Sequence, residues 1–194
     1  MQKNSSQSGK ICRLSYFLDA EGKNPMNEAT FQPSNTRKVA LAVVLTALSV
    51  ILGSLSIPVG VTKVAPAQHM INAVGGVLLG PWYAVVMAVV TATIRMGLGT
   101  GTIFAYPGSI FGGLVVGLVY KYIKKSDYVA LLEPLGTVVI GATLSALVVA
   151  PIAGKSMTLE FFWIAFAASC IPGSILGFIV LKALRRAGFD RYLV

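Results

Sequence analysis

Acidic residues are scarce in this chain: seven Asp and Glu among 194 residues, against 16 Lys and Arg, with one histidine and two cysteines. Charged residues make up only 12%, roughly half the share of an ordinary soluble domain. With 55% hydrophobic residues and a mean hydropathy of +0.76, that shortage excludes a free-standing soluble fold for most of the chain. A single histidine, His69, excludes histidine-pair metal motifs. Cys12 and Cys170 are too few for a disulfide framework, and Cys170, inside an apolar run, reads as packing. There is no Walker loop and no metal-spaced His/Cys cluster, so no cofactor is expected. The seven acids (Asp19, Glu21, Glu28, Asp127, Glu133, Glu160 and Asp190) all read as lying outside the apolar runs, so no intramembrane carboxylate is expected. The net charge of +9 raises nucleic acid as a partner. The bases flank apolar runs without interleaved aromatics, which is the pattern of membrane topology and not of nucleic-acid binding.

What the chain has is apolar length. Val39 to Thr62 carries no charge, and Val64 to Ile94 carries none beyond His69. As one helix the second run would be about 46 Å long at 1.5 Å per residue. A bilayer core is about 30 Å thick. Gly80-Pro81 supplies a break, because proline removes a backbone donor and disfavours helix in the residue before it. The run from Met96 to Tyr120 is punctuated by Gly99-Thr100-Gly101-Thr102 and by Pro107, which suits a first helical turn. The spacing predicts an all-α membrane protein with six spans at about 39–57, 67–79, 81–95, 107–123, 134–152 and 160–182. The runs do not alternate apolar and polar residues, as barrel strands would.

Six spans divide the basic residues unevenly. One side holds Arg37, Lys38, Lys121, Lys124, Lys125, Lys182, Arg185, Arg186 and Arg191, and the other only Lys63, Arg95 and Lys155. By the positive-inside rule the first side, with both termini, is cytoplasmic. Residues 1–36, rich in Ser, Asn, Gln and Lys, read as a disordered cytoplasmic tail, with Met26 an alternative start. Residues 37–187 form the six-helix domain and 188–194 a short cytoplasmic tail.

The outward half gathers polar residues: Lys63, Gln68, His69, Asn72, Arg95, Thr100, Thr102, Tyr106 and Glu160. Such groups are costly at membrane depth and normally face a cavity or a partner. Gln68, His69 and Asn72, three and four residues apart, share one helix face. Each has a plainer reading. Arg95 can snorkel to the interface, and Gln68 and Asn72 can bond a neighbouring helix. Taken together on one side, they point to a pocket open to the outside, with the Gly-Thr loop as a binding loop. Trp163 suits either an aromatic belt or a ligand cover. Trp82 and Tyr83 suit the belt. Gly108-x-x-x-Gly112, Gly113-x-x-x-Gly117 and Gly173-x-x-x-Gly177 predict close helix contacts.

The stretches Lys63-Val64-Ala65-Pro66-Ala67-Gln68-His69-Met70-Ile71-Asn72 and Leu79-Gly80-Pro81-Trp82-Tyr83-Ala84 resemble the ThiW family. So does Arg95-Met96-Gly97-Leu98-Gly99-Thr100-Gly101-Thr102 with Ala105-Tyr106-Pro107-Gly108-Ser109, and the similarity runs from about 37 to 187. That resemblance implies a substrate-capture (S) component of an energy-coupling factor (ECF) transporter in a bacterial or archaeal plasma membrane. Its expected partners are a transmembrane coupling subunit and two cytosolic ATPases that consume the ATP. Its expected ligand is hydroxyethylthiazole, a thiamin precursor. Gln68, His69 and Asn72 would hydrogen-bond the ligand's polar atoms, with Tyr106 or Trp163 stacking on its ring. S components often carry Ala-x-x-x-Ala on the first helix for docking. The nearest matches here are Ala42-x-x-x-Thr46 and Val43-x-x-x-Ala47, which makes Ala42, Thr46 and Ala47 the docking candidates.

Other readings remain open at this stage. One is an S component for another small vitamin or heterocycle, since fold does not determine ligand. Another is a stand-alone secondary transporter, although neither buried relays nor repeated halves are visible. A membrane enzyme using His69 and Arg95 lacks a second catalytic group. Outward loops at 58–66 and 99–106 are expected to gate the pocket.

Overall fold

The computed structural model describes residues 35–188. The tails before and after, including Cys12 and Met26, lie outside the described residues. Within them the chain forms six helices: α1 (Asn35–Gly53), α2 (Pro66–Leu79), α3 (Pro81–Gly97), α4 (Ala105–Tyr122), α5 (Asp127–Ile152) and α6 (Leu159–Arg186). By length and composition α1, α5 and α6 are each long and apolar enough to cross a membrane.

The helix limits follow local chemistry. Gly80 at φ +88° turns the chain between α2 and α3, and Pro81 then opens α3 where its missing N–H costs nothing. The first helix differs from expectation: it ends at Gly53, and not near 57. Ile57–Val59 instead pairs antiparallel with Thr62–Val64, as strands β1 and β2. Pro58 disfavours helix at Ile57. Gly60, at φ +57°, starts a two-residue hairpin turn whose second residue, Val61, is not left-handed, as a type II′ turn requires.

α2 is only about 21 Å long, but it need not meet lipid along its length. It is the central helix, buried at eleven of its fourteen positions and packed against α1, α3, α4, α6 and the first turns of α5. Two apolar clusters fill the bundle. One joins α1, α2 and the lower parts of α4 and α6 through Leu45, Val77, Leu79, Tyr120 and Leu181. The other is aromatic, built on Phe104, Phe162 and Phe166. The end holding the first cluster is basic: Arg185 at the end of α6 donates to Asp127 Oδ1 at the start of α5 and, at 3.2 Å, to the Tyr120 hydroxyl near the end of α4. The hairpin, the start of α2 and the loop between α3 and α4 form the other end.

The glycine pairs singled out in the sequence sit at close helix contacts. Gly108 faces Phe166 of α6 and backs onto Gly141 of α5, and Gly112 meets Glu133 and Thr137 of α5. Gly113 and Gly117 meet Ala84 and Pro81 of α3. Gly173 and Gly177 meet Pro66, His69, Met70 and Ala73 of α2. α5 contributes small residues in return. It is irregular, with π-helical stretches Leu135–Ala142 and Ser145–Val149, and its Gly136 lies directly on the Phe111 carbonyl. A methyl at 136 would therefore fall on rigid backbone. Gly136→Ala is expected to destabilise by about 1–3 kcal/mol through overpacking, seen as a lower unfolding temperature in detergent. Gly97→Ala, where nothing among the described residues lies within 4 Å, should leave that temperature unchanged.

Candidate functional site

The two strands and the loop at 98–104 close over one end of the bundle. Lys63 of β2 donates to the Gly99 carbonyl at 2.7 Å, tying hairpin to loop. Beneath them lies a cavity with about 400 Å³ of empty volume including its mouth. Its walls lie close together, so the space is a slot and not an open chamber.

The floor of the slot is α2. Pro66 starts this helix, which places Gln68 and His69 in its first turn, facing inward. Gln68 is held at both ends of its amide: its Nε2 donates to Ser109 Oγ of α4 at 2.7 Å, and its Oε1 accepts from Arg95 Nη1. Arg95, near the end of α3, is only 2% exposed. Its Nη2 donates to the carbonyls of Gly53 and, at 3.1 Å, Thr100. The Gly53 carbonyl closes α1, where the helix dipole is negative and the last carbonyls lack partners. The Arg95 carbonyl accepts from the backbone N–H groups of Thr100 and Gly101 at 2.9 and 2.8 Å, folding the loop back onto the helix. One side chain thus joins α1, α2, α3 and the loop.

His69 has a partner that sequence reasoning missed. Its Nδ1 lies 2.7 Å from Glu133 Oε1, and Thr137 Oγ1 donates to the same oxygen at 2.7 Å. Glu133 is fully buried against Gly112 in the middle of α4. This corrects the expectation that no carboxylate enters the bundle. The basic stretch Lys121–Lys125 made residues up to 133 look like a surface loop. In fact Asp127–Leu132 forms a 3-10 turn that buries Val129 and Ala130 and carries Glu133 inward. The signal available was Glu133 four residues before Thr137, on the face that carries Gly136 and Gly141.

One wall is aromatic. Phe104 and Phe166 line the slot, and Phe162 packs against both, tilted to Phe104 with ring centroids 5.0 Å apart and edge-on to Phe166 at 6.1 Å. Ser169, which accepts from the Ala65 N–H at 2.8 Å, and Thr62 complete the polar lining.

Of the sequence candidates, Lys63, Gln68, His69, Arg95 and Thr102 line the slot. Asn72, one turn deeper on α2, is buried and does not line it; its Nδ2 has no hydrogen-bond partner among the described residues. Thr100 serves the latch and does not line the slot: its carbonyl accepts from Arg95 Nη2, and its N–H and hydroxyl donate to the Arg95 carbonyl. Tyr106 and Trp163, expected against the ligand ring, are elsewhere. The Tyr106 hydroxyl lies 2.9 Å from Thr93 Oγ1, and Trp163 is 43% exposed with its indole N–H on Thr143. Both point away because of where they fall on their helices: Phe104 and Phe166 occupy the inward positions. Glu160 sits exposed in the first turn of α6.

A bundle of six helices, three of them long and apolar enough to cross a membrane, is the architecture of a multi-pass membrane protein. The S-component for biotin from an ECF-type ABC transporter has a similar fold. Its crystal structure superposes with a TM-score of 0.57 over 82% of this chain and 96% of that one, at 22% identity. No curated protein matches the sequence significantly. The family model described as thiamine-precursor transporter protein matches residues 39–187, and the chain belongs to that family, ThiW.

Arg95→Met would leave Gln68 Oε1 and the Gly53 and Thr100 carbonyls without their donor. Each unpaired buried acceptor costs about 1–3 kcal/mol. We expect a lower unfolding temperature and new protease cleavage within 98–104. Arg95→Lys should recover only part of the loss, since a point ammonium cannot span the three acceptors. Wild-type melting and cleavage in Arg95→Met would contradict the latch.

Proposed function

We propose that this chain is the substrate-capture subunit of an ECF-type importer, taking up hydroxyethylthiazole from outside a bacterial or archaeal cell. The observation that carries this reading is the slot itself, in a member of the thiamine-precursor transporter family. An aromatic heterocycle with a hydroxyl and a ring nitrogen needs a flat apolar wall and two or three polar atoms. Phe104 and Phe166 supply the wall, and Gln68, His69 and Ser109 the polar atoms. The slot is narrow, so binding requires the hairpin and the 98–104 loop to part and reclose, with Lys63–Gly99 as the contact that breaks.

The six helices are read as six spans, with the basic end and both termini cytoplasmic, which directs the slot outward. The subunit has no ATPase activity of its own and relies on a transmembrane coupling subunit and two ATPases. The docking surface is α1, the least buried of the three long helices. On it Val43 and Ala47 face outward, while Ala42 and Thr46 are half-buried and Thr46 bonds the Ala42 carbonyl. The Val43-x-x-x-Ala47 pair is therefore the better docking candidate.

Calorimetric titration of the purified protein with hydroxyethylthiazole, with thiamin and riboflavin as controls, tests the substrate. Saturable binding of the thiazole is expected, weakened by about 1–3 kcal/mol in His69→Ala and Asn72→Ala. For Asn72 the effect would pass through the floor of the slot. Absence of binding by a folded sample would overturn the substrate assignment. Ala47→Trp should abolish ATP-dependent uptake in cells while thiazole binding stays at the wild-type level. Normal uptake in that variant would remove α1 as the docking helix.

A further inference from the structure

The His69–Glu133 contact fixes more than a ring position. An imidazole has two nitrogens, and the hydrogen bond made by one determines what the other can offer. Glu133 Oε1 lies 2.7 Å from His69 Nδ1 and 2.7 Å from the Thr137 hydroxyl, whose more distant acceptor is the Gly108 carbonyl at 3.1 Å. A buried carboxylate oxygen in that setting is an acceptor, so the Nδ1 side must donate. His69 lines the slot, and its Nε2 has no hydrogen-bond partner among the described residues. In the neutral imidazole the lone pair is then on Nε2.

We propose that Glu133 is a positioning residue that holds the His69 proton on Nδ1, so that Nε2 presents an acceptor to the slot and the site selects ligands bearing a hydroxyl or N–H donor. The selection rests on reading the slot as a ligand site. The tautomer does not. It follows that a ligand is distinguished by its donor group as well as by its ring. A site built around an unpaired acceptor rejects an analogue that lacks the donor, because the acceptor is left buried and unsatisfied. Second-layer carboxylates orient metal-binding histidines by the same logic; here the oriented atom would meet an organic ligand.

His69 is the only histidine in the sequence, so selective ¹⁵N-histidine labelling within the chain reports one imidazole. The expected spectrum at neutral pH shows a protonated Nδ1 and an unprotonated Nε2, without any ligand present. A proton on Nε2, or a doubly protonated ring, overturns the proposal. The binding arm compares hydroxyethylthiazole with its O-methyl ether. The wild-type protein should prefer the alcohol by roughly tenfold or more. Glu133→Met should bring that ratio near one, and Glu133→Gln, which keeps an acceptor for Nδ1, should retain most of it. A merely structural Glu133 would change both affinities together and leave the ratio intact, and that result also overturns the proposal. If Glu133→Met does not fold, the wild-type ratio and spectrum still decide. If neither thiazole binds the wild-type protein, the substrate reading fails, while the spectrum decides the tautomer independently.

Discussion

A guanidinium cannot be left unsolvated inside a helical bundle, and most of the slot's structure follows from how Arg95 is accommodated. Among the described residues no carboxylate reaches it. The charge is met instead by neutral oxygens from three segments: the last carbonyl of α1, the Gln68 amide on α2 and the Thr100 carbonyl in the loop. Neutral acceptors give less than an ion pair, but each comes from a different element, so the requirement to solvate one side chain fixes the relative position of all three. Gln68 is then committed through its other end to Ser109, which brings α4 into register. The slot's floor, roof and one wall are set by this single chain of contacts.

The second constraint is closeness. His69 can reach Glu133 only because α4 has glycine at 112, where any side chain would occupy the carboxylate's place. Gly173 does the same for α6 against the His69 Cβ. Without water to drive helices together, small residues let backbones approach and dispersion hold them. The short central helix α2 is tolerated for the same reason, since protein and not lipid surrounds it. Stability and site geometry therefore draw on one set of glycines.

Helix positions were legible in the sequence because they depend on local signals. Gly80-Pro81 marks the turn it makes, and the basic flanks mark helix ends. The polar face of Gln68 and His69, with Arg95 nearby, was also visible, since one helical turn and one side of the bundle suffice to group them. The rest was not, because it depends on contacts between distant residues. Ser169 meets Ala65 across 104 positions, and Gln68 meets Ser109 across 41. Glu133 was hidden beside Pro134 and behind three lysines. Choosing between Tyr106 and Phe104, or Trp163 and Phe166, required knowing which way each helix faces, and an almost uniformly apolar helix carries no periodic signal for that.

The central claim is that the slot beneath the hairpin is where the ligand sits. Hydrogen–deuterium exchange of the purified protein, with and without saturating hydroxyethylthiazole, localises the site directly. The account predicts slowed exchange confined to the hairpin and start of α2 (62–69), the loop and start of α4 (98–109) and the Phe166–Ser169 turn of α6, with the basic end unchanged. Slowing at the basic end, or none in the three slot segments while ligand is bound, would contradict it.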